Sequence, residues 1–343
     1  MKIYTEMDIN TIYIVLGLSC NFNCKYCYEK NMQQADLHIE NDLIDYIKYL
    51  ISLKPFAKEN PTKIMFWGGE PLIYMDVIKK IISELKELPF TYGTVSNGSL
   101  FTDEMVDYFN DNKISVGISH DGINTIKTRN IDVLSDKKIL KTLRKLHHVC
   151  IDSVISAYNY DYISTLDYIY NKFDREIPVY FEWLHCDEGA PTDLYNIDYS
   201  QYQYNLDSYF NVIKRDILLD NYSVRVRSVL PDIKSVFSPS PELSPRCKQM
   251  KKVLNLDLQG NVMACHPGVK LGNIKNDYSD LVEKYDKQIN QAFSFADCGN
   301  CKWIMSCKAG CPLEKPCEGK LAICKAKCLY FNKIQEFFTE VVI

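Results

Sequence analysis

The chain has 343 residues and is 46% hydrophobic, which provides enough apolar material for one large domain, or for a large domain and a small one. Its formal net charge of −4 gives no polybasic surface, so no nucleic-acid partner is expected, and small molecules or proteins are the expected partners. No run of about eighteen consecutive apolar residues occurs, so the sequence predicts no membrane-spanning helix and no membrane partner.

The amino terminus and the cysteines indicate the compartment. MKIYTEMDINTIYIV lacks the charged-then-apolar pattern of a signal peptide, so we expect a cytoplasmic protein. The 14 cysteines are then expected to be reduced thiolates bound to metal rather than disulfides. Their distribution is uneven, because three lie at 20–27, Cys150 and Cys186 are isolated, and nine lie between 247 and 328.

Through the first 235 residues, β-branched or aromatic stretches alternate with amphipathic stretches, which predicts six βα units. The predicted strands lie at 11–19, 63–69, 90–98, 113–122, 150–159 and 178–186, and the predicted helices lie near 39–53, 73–86, 102–110, 136–147, 161–173 and 200–219. Such alternation is typical of a parallel sheet with right-handed crossovers. The expected fold class is α/β, a partial (β/α)6 TIM-like barrel whose active-site loops follow the carboxyl ends of the strands.

The pattern changes near residue 235. The stretch VFSPSPELSPRC (236–247) is rich in serine and proline and is interpreted as a connection. The sequence after it is rich in cysteine and has too few periodic apolar positions for a core of its own, so bound metal would have to support it. We therefore predict a barrel domain over 8–235 and a small cysteine-rich domain over 236–343.

Three cysteines follow the first predicted strand in the motif C-x3-C-x2-C: Cys20, Cys24 and Cys27. A tetrahedral structural zinc site takes four ligands, usually as two separated pairs, so this local set is one ligand short. An iron–sulfur cluster held by three thiolates keeps one iron open for an exogenous ligand, as a catalytic zinc keeps one position open. The motif favours such a cluster, and a zinc knuckle or a set of reduced structural thiols is the alternative.

With Tyr26 before its last cysteine, this motif resembles that of the radical S-adenosylmethionine (SAM) superfamily. The resemblance implies that the three thiolates hold a [4Fe-4S] cluster whose fourth iron is chelated by SAM. It further implies that one-electron reduction cleaves SAM to a 5′-deoxyadenosyl radical, supplied with electrons by a low-potential donor such as flavodoxin or ferredoxin.

Other strand ends resemble the positions at which this family binds SAM. In FWGGEP, Gly68 and Gly69 would let the backbone approach the methionine moiety, and Glu70 would accept a hydrogen bond from its ammonium group. The remaining cofactor contacts that the resemblance implies are Tyr26, Ser96 and Asn97 in TVSNGSL, and Ser156 and Asn159 near the SAM ribose in VISAYN. For each segment the alternative is an ordinary turn or helix cap.

The stretch ISHDG (118–122) resembles the S-x-D-G turn of the same family. Asp121 is therefore expected to face the cavity as a candidate catalytic group. Arg129, eight residues downstream, is expected to pair with a carboxylate.

The tail combines C-x17-C, with G-x4-C inside it, and C-x2-C-x5-C-x3-C, and it resembles a SPASM domain, the auxiliary-cluster extension of radical SAM enzymes that modify peptides. The resemblance implies one or two auxiliary [4Fe-4S] clusters. The implied ligands are Cys247, Cys265 and Cys311 for the first cluster, with Cys317 as a possible fourth, and Cys298, Cys301, Cys307 and either Cys328 or Cys324 for the second. A zinc-binding tail is the alternative.

The resemblance implies hydrogen abstraction from a peptide or protein, leading to a thioether or carbon–carbon cross-link or to epimerisation. Cys186 is the candidate thiol that would quench an α-carbon radical, with a buried structural cysteine as the alternative. His266 stands where sulfatase maturases of the family carry an aspartate, and it is the candidate base, with a surface residue as the alternative.

The barrel begins too close to the amino terminus to leave room for a leader-peptide-binding domain, so a separate leader-binding protein or the enzyme's own surfaces are expected to supply recognition. Two rival functions stay open. One is a radical SAM enzyme that acts on a small metabolite, and the other is a zinc-stabilised binding module without turnover.

Overall fold

The structure, a computed structural model, describes residues 9–31, 39, 41–54, 59–185, 191–239, 252–265, 268–291, 298, 300–307 and 318–342.

Within these residues, nine strands form a single sheet. They are β1 (Thr11–Val15), β2 (Thr62–Trp67), β3 (Phe90–Ser96), β4 (Ser115–Ser119), β5 (Val149–Ile155), β6 (Val179–Trp183), β7 (Val253–Asp257), β8 (Asn261–Met263) and β9 (Lys270–Asn273). The spatial order is β6-β5-β4-β3-β2-β1-β7-β8-β9. The first six strands pair in parallel, so the six predicted strands and the α/β partial barrel are confirmed.

The helices that cover the sheet also follow the predicted pattern. They are α1 (Asn41–Ser52), α2 (Met75–Leu85), α3 (Asp103–Asp111), α4 (Thr125–Arg129), α5 (Lys137–Leu143), α6 (Tyr162–Phe173), α7 (Tyr199–Leu218), α8 (Val224–Phe237), α9 (Tyr278–Gln291), α10 (Ile304–Cys307) and α11 (Glu318–Val342). Several begin at side-chain caps, as when the Asp161 carboxylate accepts from the backbone N–H of Ser164 at the start of α6. No helix of the described residues is long and apolar enough to cross a membrane.

The two faces of the parallel strands differ in burial. Residues alternate between buried and half-buried along β2 and β5, because successive side chains of a strand point to opposite faces. The buried face, which includes Ile64, Phe66 and Ile151, packs under the helices, and each such large side chain contributes about 1.5 to 3 kcal/mol by its burial. The half-buried face lines the interior of the partial barrel, here called the lumen face.

The C-terminal region joins the same sheet. β7 pairs in parallel with β1, and β8 and β9 extend the sheet in antiparallel fashion. The predicted boundary at residue 235 falls inside α8, two residues before its end at Phe237. Apolar residues of the tail, such as Leu256 and Phe331, belong to the hydrophobic core that also contains the barrel. The tail thus draws on the barrel for burial, and its separation as a domain stays a prediction.

Candidate active site

The loop that carries Cys20, Cys24 and Cys27, here called the cysteine loop, lies at the carboxyl end of β1. Backbone hydrogen bonds continue past the strand ends, because Gly69 N–H donates to Gly17 O and Glu70 N–H donates to Ser19 O, both at 2.9 Å. The start of the cysteine loop is therefore fixed against the loop that follows β2.

Gly68 and Gly69 make this contact possible. A Cβ atom at Gly68 would lie 2.1 Å from Gly17 O, and one at Gly69 would lie 2.4 Å from Ser19 O. Gly68 also has φ +134°, a conformation that side chains disfavour. We expected these glycines to make room for SAM. That stays a prediction, and the structure adds a second reason for glycine, because the cysteine loop fills the space that their side chains would need.

The three thiols are partly accessible. Cys20 is exposed, whereas Cys24 and Cys27 are half-buried. Burial raises the pKa of all three thiols, and that of Cys24 reaches about 11 despite the opposing effect of nearby Arg129. Backbone N–H groups stabilise the thiolate forms, since Phe22 N–H donates to Cys20 Sγ at 3.4 Å and two amides act on Cys27.

These features fit the group that the sequence implies. An iron–sulfur cluster takes thiolate ligands and is tuned by hydrogen bonds to sulfur, and both are available on this loop. No three His, Cys, Asp or Glu side chains of the described residues converge tightly enough to bind one metal ion. The three thiolates of a [4Fe-4S] cluster bind different irons, so they do not have to meet at one point.

Asp121, which follows β4, contacts the cysteine loop through Tyr26. Its Oδ2 accepts hydrogen bonds from Tyr26 Oη and Thr128 Oγ1, each at 2.6 Å, and lies 3.2 Å from Arg129 Nε. Its Oδ1 accepts from Val154 N–H at 2.9 Å. Asp121 is 0% exposed, so our expectation that it faces a cavity is wrong. The expected pairing of Arg129 with a carboxylate is present.

We call Asp121 and its partners Tyr26, Thr128 and Arg129 the Asp121 clamp. The helix α4 adds a further contact with the cysteine loop, which sequence reasoning did not predict. Lys25 N–H donates to Thr128 O at 2.7 Å. Before α4, His120 Nδ1 accepts from Gly122 N–H and His120 Nε2 lies 3.0 Å from Asp132 Oδ1. Burial lowers the pKa of His120, so the neutral ring braces the turn that carries Asp121. The H-D pair inside ISHDG was the available signal.

Glu70, Ser96 and Asn97 form one buried network. The Glu70 carboxylate accepts from Leu72 N–H, Ser96 Oγ and Asn97 N–H, at 3.1, 2.8 and 2.7 Å. Burial raises the pKa of Glu70, and these donors counteract that effect. Asn97 Nδ2 then donates to Asn21 Oδ1 at 2.8 Å. The network joins the ends of β2 and β3 to the cysteine loop, and a SAM contact for these three residues stays a prediction.

Ser156 and Asn159 lie in a turn after β5, where both are buried. Asn159 Nδ2 donates to Ser153 Oγ at 2.8 Å, and Asn159 Oδ1 accepts from Thr165 Oγ1 at 2.7 Å. These hydrogen bonds agree with the alternative that the two residues form an ordinary turn. Their contact with the SAM ribose stays a prediction.

The lumen face carries charged residues that sequence reasoning missed. Lys63 of β2, Asp152 of β5 and Glu182 of β6 share this face by strand register. Gly117 leaves room for the Asp152 carboxylate, because a Cβ atom at position 117 would lie 2.0 Å from Asp152 Oδ2. Burial and the nearby Glu182 carboxylate raise the pKa of Asp152 to about 7. Alternation along each strand could have revealed this face.

Several tail cysteines converge. Cys328 and Cys324 lie one turn apart on α11, and burial raises the pKa of both thiols. Cys307 raises both further, and Cys301 raises that of Cys328. Cys298 also acts on Cys324. Five predicted ligands of the second auxiliary cluster therefore come together. Cys265 lies near Tyr28, the residue that follows the cysteine loop's last ligand.

Other predicted residues fall outside the described part of the chain. They are Cys186, Cys247, His266, Cys311 and Cys317. Their roles stay predictions.

Comparison with known proteins identifies the site. Residues 14–167 match the Radical SAM superfamily. Radical SAM cyclopropyl synthase TigE of Paramaledivibacter caminithermalis is 24% identical, and the match covers 95% of this chain and 73% of TigE. The cysteine-type anaerobic sulfatase-maturating enzyme of Clostridium novyi is 22% identical over 87% of this chain and 86% of its own. The structure of native anSMEcpe with bound AdoMet and Cp18Cys peptide has a TM-score of 0.72 and 18% identity over 96% of this chain and 99% of that one.

The structural likeness supports the fold over nearly the whole chain. The superfamily match includes the three cysteines that the structure places at the carboxyl end of β1. The expectation of a binding module without turnover is therefore wrong. Residues 14–167 form a radical SAM domain, and the protein is an enzyme.

Proposed function

We propose that this enzyme abstracts hydrogen from a peptide or protein substrate and so matures it, by a thioether or carbon–carbon cross-link or by epimerisation. The observation that carries the proposal is the fold, which follows that of the peptide-bound anSMEcpe along almost its whole length, tail included. We place the protein in the cytoplasm, in keeping with its many reduced cysteines.

Cys20, Cys24 and Cys27 would hold the [4Fe-4S] cluster, and SAM would bind beside it. When bound, this pair supplies a 5′-deoxyadenosyl radical after one-electron reduction. The protein itself fixes the position of the cysteine loop. The Asp121 clamp contacts the loop on one side, and the Glu70 network contacts it on the other. Such fixed positioning matters because small misplacements of reacting groups lower rates strongly.

The lumen face is the proposed place of the substrate. Its half-buried positions are protected from bulk water yet reachable from the carboxyl ends of the strands, where active sites of such barrels lie. Asp152, with a pKa near neutrality, can take up or release a proton there. Lys63 and Glu182 would orient polar groups of the substrate.

The tail is proposed to hold auxiliary clusters. Cys298, Cys301 and Cys307, with Cys324 or Cys328, would hold one of them. The proximity of Cys298, Cys301 and Cys307, which lie before or in α10, to the two cysteines of α11 supports this set. A second cluster would use Cys265 together with Cys247, Cys311 and Cys317. Protein-bound clusters of this kind relay electrons or bind substrate at an open iron.

A peptide assay tests the proposal. Anaerobically reconstituted enzyme is incubated with SAM, dithionite and a library of synthetic peptides, and the peptides are analysed by mass spectrometry. Loss of two hydrogens indicates a cross-link, whereas uptake of one deuterium from heavy water without other change indicates epimerisation. SAM cleavage with no peptide altered, but with a small metabolite converted, would favour the metabolite rival instead.

A further inference from the structure

The solvent-exposed side of α4 and of the turn before it combines apolar and basic residues. Ile123 is 64% exposed and Ile126 is 60% exposed, and Lys127 is exposed as well. Ile123 lies in the 3-10 turn Gly122–Asn124 that leads directly into α4, three and four positions before Ile126 and Lys127. We call these three residues the α4 face. Exposed apolar groups rimmed by charge are typical of protein interaction sites.

The α4 face lies directly over the cysteine loop. The inner residues of α4, Thr125, Thr128 and Arg129, are buried, and Thr128 O accepts from Lys25 N–H one residue after Cys24. Lys127 Nζ and Lys25 Nζ both lie over the ring of Tyr158, at 5.6 and 5.1 Å. One helix thus touches the loop with its inner side and solvent with its outer side.

The charge here is opposite to that of the whole chain. Residues 121–145 contain seven lysines and arginines against three aspartates; Arg129 and Asp121 are buried and paired, which leaves six basic residues against two aspartates, although the complete chain has a net charge of −4. Lys137 and Lys138 at the start of α5 are exposed at the same edge of the sheet. Among the nearby acids, Asp193 lies 3.7 Å from Lys25 and accepts from Tyr158 Oη. The surface next to the cysteine loop is therefore locally basic.

We propose that the α4 face, with Lys25, is the docking surface for an acidic one-electron carrier protein of the flavodoxin or ferredoxin class. The inference rests on the proposed function, which requires an electron at the cysteine loop. A flavodoxin hydroquinone would give up one electron, becoming the semiquinone, to the cluster that Cys20, Cys24 and Cys27 would hold. Electron tunnelling slows steeply with distance, so the carrier has to dock close to this loop.

Charge complementarity selects this partner over a substrate peptide. Basic residues attract an acidic carrier and speed its approach, and the isoleucines give the contact an apolar centre. The substrate is proposed to bind at the lumen face, on the opposite side of the clamp.

The test uses two matched double variants of the full-length holoenzyme. The first is Ile123→Asp with Lys127→Glu on the α4 face. The control is Leu230→Asp with Lys234→Glu on α8, which likewise changes one exposed apolar residue and an exposed lysine four positions later. The control is informative because α8 packs against α10, which carries Cys307.

The first measurement is the dissociation constant for oxidised bacterial flavodoxin, by calorimetry at low and at moderate salt. We expect at least tenfold weaker binding for the α4 variant, unchanged binding for the control, and weaker wild-type binding as salt screens the lysines. Unchanged binding by the α4 variant, or equal weakening by the control, would overturn the inference.

The second measurement compares reductants. We expect the α4 variant to lose most flavodoxin-driven SAM cleavage and to keep dithionite-driven cleavage, because dithionite is small and needs no docking surface. Equal loss with both reductants would mean that the residues support the cysteine loop, and the inference would fail. If wild type does not cleave SAM with dithionite, the proposed function fails, and the binding measurement still decides the docking surface.

Discussion

At the scale of single residues, the site depends on a buried network of polar groups around Asp121. Asp121 joins Tyr26, Thr128 and Arg129 at distances of 2.6 to 3.2 Å. Sequence reasoning identified Asp121 and Arg129 from a motif but gave Asp121 an open position. A four-residue motif does not state whether a carboxylate points to a cavity or to its own helix, since that depends on how α4 packs.

Replacing Arg129 by methionine should lower the free energy of unfolding by about 3 kcal/mol, because Asp121 would remain buried without its cation. Lys48→Met, which removes an exposed ion pair with Glu84, should cost less than about 1 kcal/mol. Urea unfolding of both variants measures this. Similar small effects for the two would show that the clamp adds little stability.

Asp152 should make stability depend on pH in an unusual direction. Its raised pKa of about 7 means that the folded protein holds a proton on Asp152 more tightly than the unfolded chain does. The free energy of unfolding therefore falls as pH rises from about 4 through 7. Asp152→Asn should therefore be more stable than wild type at pH 8, by roughly 4 kcal/mol, and similar to it near pH 4.

Unfolding curves at both pH values test this, with the exposed Asp107→Asn on α3 as the control that leaves the pH dependence unchanged. A pH 8 stability equal to that of wild type would show that Asp152 is already ionised at little cost.

At the scale of elements, local sequence patterns were sufficient to predict the six βα units. The β-branched and aromatic stretches of β2 and β5 and the apolar side of α1 are properties of short stretches, and sequence reasoning found them. The pairing of β7 with β1 was not predicted, because it joins residues more than 200 positions apart and no local signal specifies it. The same limit hid the packing of Gly68 and Gly69 against the cysteine loop.

Gly69→Ala should destabilise the protein by about 1 to 3 kcal/mol and reduce iron uptake, because its Cβ would lie 2.4 Å from the fixed backbone oxygen of Ser19. Gly93→Ala is the matched control. Its Cβ would approach only the side-chain ends of Met65 and Lys63, which can move, so a change within about 1 kcal/mol is expected. Equal effects in urea unfolding and iron content would contradict the loop-packing argument.

At the scale of the whole molecule, one sheet connects the radical SAM domain to the cysteine-rich tail. Core residues from both regions pack together, and α11 packs against α7 and α8 of the barrel. Sequence reasoning assigned the tail from cysteine spacing alone. It favoured Cys328 over Cys324, and the structure leaves both open, because they lie one turn apart on α11 and both approach other tail thiols.

Iron analysis of the reconstituted protein counts the clusters. We expect roughly twelve irons per chain, falling to about eight in the Cys20/Cys24/Cys27 triple alanine variant, if two auxiliary clusters are bound. Roughly eight falling to about four would mean a single auxiliary cluster. Zinc in place of iron would refute the auxiliary-cluster proposal for the tail.

The most direct test of the central claim is the formation of 5′-deoxyadenosine from SAM by the anaerobically reconstituted, dithionite-reduced enzyme, compared with the same triple variant. We predict clear formation by wild type and none above background by the variant, because the three thiolates would hold the cluster that reduces SAM. Equal formation by both proteins, or none by a wild type that carries its full iron content, would contradict the account.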